Sequence, residues 1–484
     1  MTICFKGNSC KYEIEAIMKL FLPIKTFDFL FEEEDRSGDF AVLSYADHNA
    51  KCEVSLGGGF DCMETFVSDE KDVETALCKL LYDVMRKLTG ITPPWGRLTG
   101  IRPVKKVNAL LDEGLSKAEI FTRLKDEYDV SDKKLELAYN TAVTQKKYFD
   151  SLDKHSFSLY VSVPFCPSRC SYCSFVSHSI ESSGAKKLLP EYANKLCEEI
   201  RQTAQIADEL GLNLDTIYIG GGTPTTLSAE QLSLVMGEIK KSFDISKIRE
   251  YTVEAGRSDT ITAKKLEVIK ENGATRISVN PQTMNDDVLR AIGRRHTAAD
   301  VVKSFRLARE IGFDNINMDT IAGLPTDTYE GFVHTIDELC GLDPESITIH
   351  TLTLKRSSNL FREEERCVDS HISDMVDYGQ AKLFGEGYLP YYLYRQKNTV
   401  DNLENVGFAK AGFESLYNIY IMEEAQTILA VGAAGSTKLV NTETGKIERL
   451  FNYKFPYEYI SRYEKMIEKK DKIFEFYKSY LQEG

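Results

Sequence analysis

No stretch of the sequence reaches eighteen consecutive apolar residues, so no segment reads as a membrane-spanning helix. The opening twenty residues, MTICFKGNSCKYEIEAIMKL, lack a charged leader region, a long apolar core and a small-residue cleavage site. The expectation is a cytoplasmic protein. Proline is sparse, at 13 residues, and no low-complexity tract or internal repeat beyond a strand–helix alternation is visible. Positive charge is also short. Against 74 Asp and Glu stand 60 Lys and Arg, a formal net charge of −14. With no basic tail, the chain lacks the electrostatic footprint of general nucleic-acid binding. The 11 cysteines are odd in number and spread over 484 residues, unlike the short, dense, even set of a secreted disulfide framework. They imply a reducing compartment, with most thiols buried as small hydrophobes.

What is present is an ordinary folded composition, 42% hydrophobic and 28% charged, on a chain long enough for two or three domains. Residues 1–150 read as an α+β extension. Its candidate strands are FAVLSYA and KCEVSLGG, followed by a helix with Val73, Leu77, Leu80, Leu81 and Val84 on one stripe. A Gly/Pro-punctuated connection holds the only tryptophan, Trp95, and helical patterns follow near 104–127 and 131–150. Across 155–380 six β-rich runs, SLYVSVPF, DTIYIGGG, REYTVEAG, ATRISVNP, DNINMDTIAGLP and SITIHTLTL, alternate with helices such as that carrying Leu196, Ile200, Ala204 and Ala207. This alternation predicts an α/β fold with a parallel sheet curled into a barrel or partial barrel, its chemistry at the C-terminal strand ends. Residues 381–484 read as a mixed region, irregular β structure rich in tyrosine and then a helical end with charges on its outer face.

Cys166, Cys170 and Cys173 lie within eight residues, spaced C-x3-C-x2-C on the loop after the first of these strands. Soft thiolates in this spacing suit an iron–sulfur cluster or zinc. Zinc would need a fourth ligand, and His155 and His178 lie at no usual finger spacing. Three buried thiols are the blander alternative. An iron–sulfur cluster with one open iron would be sensitive to oxygen. Further strand ends carry GGGTPT (Gly220–Thr225), Glu254, Gln282 and Asp319. Glycines let backbone approach a ligand closely, and a strand-end carboxylate can accept from ribose hydroxyls.

CPSRCSYC resembles the cluster loop of radical S-adenosylmethionine enzymes, which fold as a partial (β/α)6 barrel. The resemblance implies a [4Fe-4S] cluster on Cys166, Cys170 and Cys173, with S-adenosylmethionine on the fourth iron. Reductive cleavage then yields a 5′-deoxyadenosyl radical that takes hydrogen from substrate. YVSVPFC, GGGTPT, ISVNPQ and DTIAGLP further resemble the group of oxygen-independent coproporphyrinogen III oxidases and related heme chaperones, and NLENVGFAKAG looks most like its HemZ type. By matching positions, Tyr160, Gly221, Glu254 and Gly435 would contact the cluster-bound S-adenosylmethionine. Tyr172, Gly222, Thr223, Gln282, Arg294, Asp319 and Thr353 match positions around a second molecule. The implied partners are a tetrapyrrole substrate and a one-electron donor such as flavodoxin or ferredoxin.

Two departures stand out. Phe175 occupies the place of a fourth cysteine carried by the oxidases and absent from the chaperones. The chaperones' His-Asn…Tyr-Trp heme-binding pattern is missing, with no histidine after His371. Arg295 suits a propionate or a solvated helix end. His350 suits a core position or the barrel interior. Cys52 and Cys62, with Cys4, Cys10 and Cys78 elsewhere in the extension, offer the alternative of a second cluster, and Trp95 with GRLTGIRP suits packing of the extension against the barrel or cover for its mouth.

Overall fold

The computed structural model describes every residue except 24, 101, 151, 174, 176, 177, 182, 354–370, 397, 398, 483 and 484, and backbone alone at 183, 400, 479, 481 and 482. The chain divides into Met1–Tyr139 with Arg395–Leu403, and Asn140–Tyr394 with Glu404–Gly484.

In the first unit, alternation puts Ile3 and Phe5 of Thr2–Lys6, and Ala50, Cys52 and Val54 of Asn49–Leu56, on one buried face. Helices Lys11–Phe21 and Val73–Thr89 cover that face. The second helix buries the expected Val73, Leu77, Leu80, Leu81 and Val84, and Gly90 ends it at φ +70°. The five-stranded sheet runs Asp28–Phe31, Thr2–Lys6, Phe40–Ala46, Asn49–Leu56, Gly59–Phe66. Cys52 pairs with Met63, and Cys62 with Glu53. The two thiols therefore leave on opposite faces, one in the core and one exposed, and cannot share a cluster. Trp95 is buried here, beneath the Arg395 guanidinium 5.6 Å from its ring.

The second unit is an α/β partial (β/α)6 barrel. Its six parallel strands are Ser156–Val163, Asn213–Gly221, Glu250–Gly256, Arg276–Val279, Ile316–Ala322 and Ser346–Thr351. Each neighbours the next in chain order. Ser–Gln and Thr–Asp capping boxes start two of the crossover helices, at Ser228 with Gln231 and at Thr297 with Asp300. Buried outward residues such as Leu159, Val161, Ile217, Val253, Ile277, Met318 and Ile347 form the apolar layer of the strands. Leu196, Ile200 and Ala207 of helix Ser183–Glu209 are buried as expected, and Ala204 is half-buried.

The inward positions are polar. Ser158 meets Thr216 at 2.7 Å, Thr348 donates to Asn317, and Arg276 donates to Ser346 at 3.0 Å. Near the N-terminal strand ends, buried Glu250 accepts from Thr252 and Ser415 Oγ, and from Leu416 N–H at 2.6 Å. These bonds seat helix Leu416–Glu423, whose Tyr417 stacks on Tyr218 with ring centroids 4.4 Å apart and on Tyr160 at 6.1 Å.

The region expected to be irregular extends the sheet. Leu389–Arg395 and Glu404–Ala409 lie beyond the sixth strand. Thr427–Val431 pairs parallel with the first, followed by Ser436–Val440 and Ile447–Phe451. The C-terminal segment is helical but broken, into Pro456–Ser461, Tyr463–Ile467 and Asp471–Gln482. Its charges are not all solvated. Lys470 is buried 3.0 Å from the buried Glu199, which also accepts from Gly432 N–H, Asn452 Nδ2 and Tyr459 Oη.

Candidate active site

The first barrel strand ends in the cysteine loop. Phe165–Cys166 pairs with His178–Ser179 and closes the loop on itself. Cys173 N–H returns to Cys170 O at 3.2 Å, and Ser171 N–H bonds Ile292 O at 3.1 Å. The glycine turn of the second strand lies against this loop: Gly222 N–H donates to Val163 O at 2.9 Å, and Thr223 N–H to Phe165 O at 2.7 Å. A Cβ on Gly222 would stand 2.5 Å from Phe165 O, so only glycine allows this approach. Thr223 Oγ1 lies 3.5 Å from Cys166 Sγ. Cys170 is buried, Cys166 and Cys173 are half-buried, and Phe175 is 69% exposed.

Glu254 ends the third strand beside the same turn. Tyr218 Oη donates to its Oε1 at 2.6 Å. Burial pushes the Glu254 carboxyl up to about 7, with the Tyr218 and Gly221 bonds partly opposing the rise. Tyr160 stacks on Tyr218 with centroids 6.2 Å apart. Gly435 follows the strand paired with Tyr160, in a turn where Ser162 Oγ donates to Ala433 O at 2.7 Å.

Arg294 is buried and donates to Asn280 O at 2.6 Å and Tyr172 Oη at 3.0 Å. Gln282 has φ +70°, held by its N–H to Asp319 O and by Ile321 N–H and Thr320 Oγ1 on its carbonyl. A non-glycine residue locked there stores strain of the kind found at functional sites. Asn317 donates to Asp319 at 2.7 Å, and His350 Nε2 lies 4.0 Å from the same carboxylate. Thr353 Oγ1 donates to Thr351 O at 3.3 Å, where residues 354–370, including the last residue of the sixth run, leave the described structure. Cys166 thus meets Thr223, Phe165 beside it meets Gly222, Tyr172 meets Arg294, and Gln282 meets Asp319. Arg295 is exposed and paired with Glu181, as a solvated helix-end arginine would be. With Arg169, Arg290, Arg294 and His296 it lines a cavity of about 670 Å³ beside the loop.

Two residues escaped the sequence reading. Buried Arg257, just past the third strand, donates to Ser168 Oγ at 2.9 Å and Ser168 O at 3.2 Å, and stands 3.8 Å from Cys170 Sγ. Asp259 grips it with two bonds, at 3.0 and 2.6 Å, while lying 3.8 Å from His296 Nδ1. Burial raises the Asp259 carboxyl, but His296 and the Arg257 guanidinium outweigh this and hold it well below the usual range. RSDT carries no motif that would single out these two.

Burial pushes the Cys173 thiol up to about 11, so a thiolate there calls for a bound cation. Ser171 Oγ, Asn280 Oδ1 and Arg294 Nε are buried without hydrogen-bond partners near the cysteines. Among the described residues no three His, Cys, Asp or Glu side chains gather as a single metal ion would need. The three soft donors and the glycine cradle fit a larger iron–sulfur group with an organic ligand beside it.

The model of the radical SAM superfamily matches residues 160–339. The chain belongs to this superfamily, whose cofactors are a [4Fe-4S] cluster and S-adenosylmethionine, and within it to the coproporphyrinogen oxidase and heme chaperone group. It is 39% identical over 411 residues to the oxygen-independent coproporphyrinogen-III oxidase-like protein HemZ of Bacillus subtilis, across 84% of this chain and 82% of that one. Identity to the B. subtilis heme chaperone HemW is 36% over 315 residues, covering 62% of this chain and 77% of that protein. The solved coproporphyrinogen III oxidase HemN of Escherichia coli superposes with a TM-score of 0.53 at 20% identity, over 67% of this chain and 73% of that one, a likeness of fold.

Proposed function

We propose that the protein oxidatively decarboxylates coproporphyrinogen III to protoporphyrinogen IX without oxygen. When bound, the cluster and S-adenosylmethionine supply a carbon-centred radical that abstracts hydrogen. Cys166, Cys170 and Cys173 hold the cluster. Tyr160, Gly221, Glu254 and Gly435 surround the first S-adenosylmethionine, with Glu254 accepting from ribose hydroxyls. Tyr172, Gly222, Thr223, Gln282, Arg294, Asp319 and Thr353 surround a second molecule. Each of the two reacting propionates loses a β-hydrogen atom, carbon dioxide and one electron, leaving a vinyl group, and two such events complete the conversion. An external one-electron donor reduces the cluster and an acceptor takes the substrate's electron.

The observation that carries this reading is the arginine-lined cavity beside the cysteine loop, with Arg169, Arg290 and Arg295 on its wall. Arginine is suited to bidentate carboxylate recognition, and a porphyrinogen presents several carboxylates. Anaerobic reconstitution with S-adenosylmethionine, dithionite and coproporphyrinogen III should yield protoporphyrinogen IX with 5′-deoxyadenosine. Release of 5′-deoxyadenosine with the porphyrinogen untouched would reject the substrate. A second reading, heme carriage, is supported by the identity to HemW. Its mark would be stoichiometric heme binding without turnover.

A further inference from the structure

Cys170 is the one buried cysteine of the three, and the guanidinium groups of Arg257 and Arg294 close on it. Arg294 serves the site already described. Arg257 does not: it comes from the far end of the third strand and reaches back to the turn between Cys166 and Cys170. It binds both the hydroxyl and the carbonyl of Ser168 and stops 3.8 Å from Cys170 Sγ. Ser168 Oγ in turn donates to Gly293 O at 3.1 Å, which fixes the turn from its other side. Asp259 holds two nitrogens of the guanidinium and leaves Nη1 for the turn. Both partners are anchored in one short segment, Arg257–Thr260, that includes a single 3-10 turn.

A buried positive charge beside a sulfur ligand favours the more negative, reduced form of an iron–sulfur group, and N–H···S contacts tune its potential in the same sense. The Asp259 carboxylate works against this and sets how much of the charge is felt. We propose that Arg257, aimed by Asp259, is a positioning residue that fixes the Cys166–Cys170 turn and raises the potential at which the group held by Cys170 accepts its electron. This rests on the reading of Cys166, Cys170 and Cys173 as cluster ligands.

The experiment is a reductive titration of the full chain, reconstituted anaerobically with iron and sulfide, with dithionite as reductant. Electron paramagnetic resonance follows the reduced cluster, and iron is counted per chain. Arg257→Gln should lower the reduced-to-oxidised ratio at a fixed potential about tenfold, ~59 mV for one electron. Arg257→Lys, which keeps the charge, should stay within about threefold of wild type. Asp259→Asn, whose amide oxygen still accepts from the guanidinium while the opposing charge is gone, should shift the ratio the opposite way, toward reduction. A fault in folding alone would not give shifts of opposite sign.

Equal potentials in fully loaded Arg257→Gln and wild type would overturn the inference, as would a fall in Arg257→Lys as large as that in Arg257→Gln. Should Arg257→Gln fail to load iron, Asp259→Asn decides: an unshifted midpoint rejects the idea. Failure of wild type itself to take up iron, or full loading of Cys170→Ala, would instead reject the ligand reading beneath it.

Discussion

At the residue scale, Glu254 is the group most exposed to pH. Its carboxyl titrates near 7 in the fold against an ordinary value of 4.5, so between those limits the native state holds a proton that the unfolded state has released. Stability from this group is therefore full below about pH 4.5 and lost as pH rises through 7. In urea denaturation of the apoprotein, wild type should lose ~2 kcal/mol more than Glu254→Gln between pH 5 and pH 8. Parallel curves for the two proteins would show that Glu254 is ionised at ordinary cost. The position of Glu254 was legible from sequence because it ends a strand. Its partner Tyr218 was not, since a tyrosine inside a β run reads as packing. Arg257 was hidden for a different reason: its role depends on the turn at Ser168, 89 residues away, and spacing along the chain does not report such a contact.

At the scale of elements, the six barrel strands were readable because each is a short β-rich run between helical patterns. The polar interior was written there too, in Ser158–Tyr160–Ser162 and Glu250–Thr252–Glu254. Fully buried parallel strands usually read as continuous apolar runs, and this period-two alternation marks a polar inner face. The strands after residue 388 were legible as β structure but read as irregular, because their tyrosines and glycines obscure the period. Lys470 was misread because its partner Glu199 lies on a different helix, 271 residues earlier by chain number. That pair supports the turn leading to Gly435, through the bond from Gly432 N–H to Glu199. Glu199→Ala should cost ~4 kcal/mol in chemical denaturation, because it strands a buried ammonium and three further donors. Lys470→Met should cost clearly less, since Glu199 keeps those three donors. The reverse order would mean that the lysine, not the carboxylate, organises the turn.

At the scale of the whole molecule, the radical SAM match at residues 160–339 falls within the second unit, and a ligand that binds the native state alone stabilises it by mass action. S-adenosylmethionine at a hundredfold excess over its dissociation constant should add ~2.7 kcal/mol to the reconstituted protein. Without iron and sulfide the gain should largely vanish in a thermal melt, and an equal gain in the apoprotein would argue against binding at an open iron. The units also differ in how they can be watched. Trp95 is the only indole among 484 residues, and it is buried in the first unit. Emission excited at the red edge of the spectrum therefore comes from the first unit, while the barrel, rich in tyrosine, is silent there. The chain carries a built-in optical label on the unit that lacks Cys166, Cys170 and Cys173, so unfolding of that unit can be followed without attaching a dye.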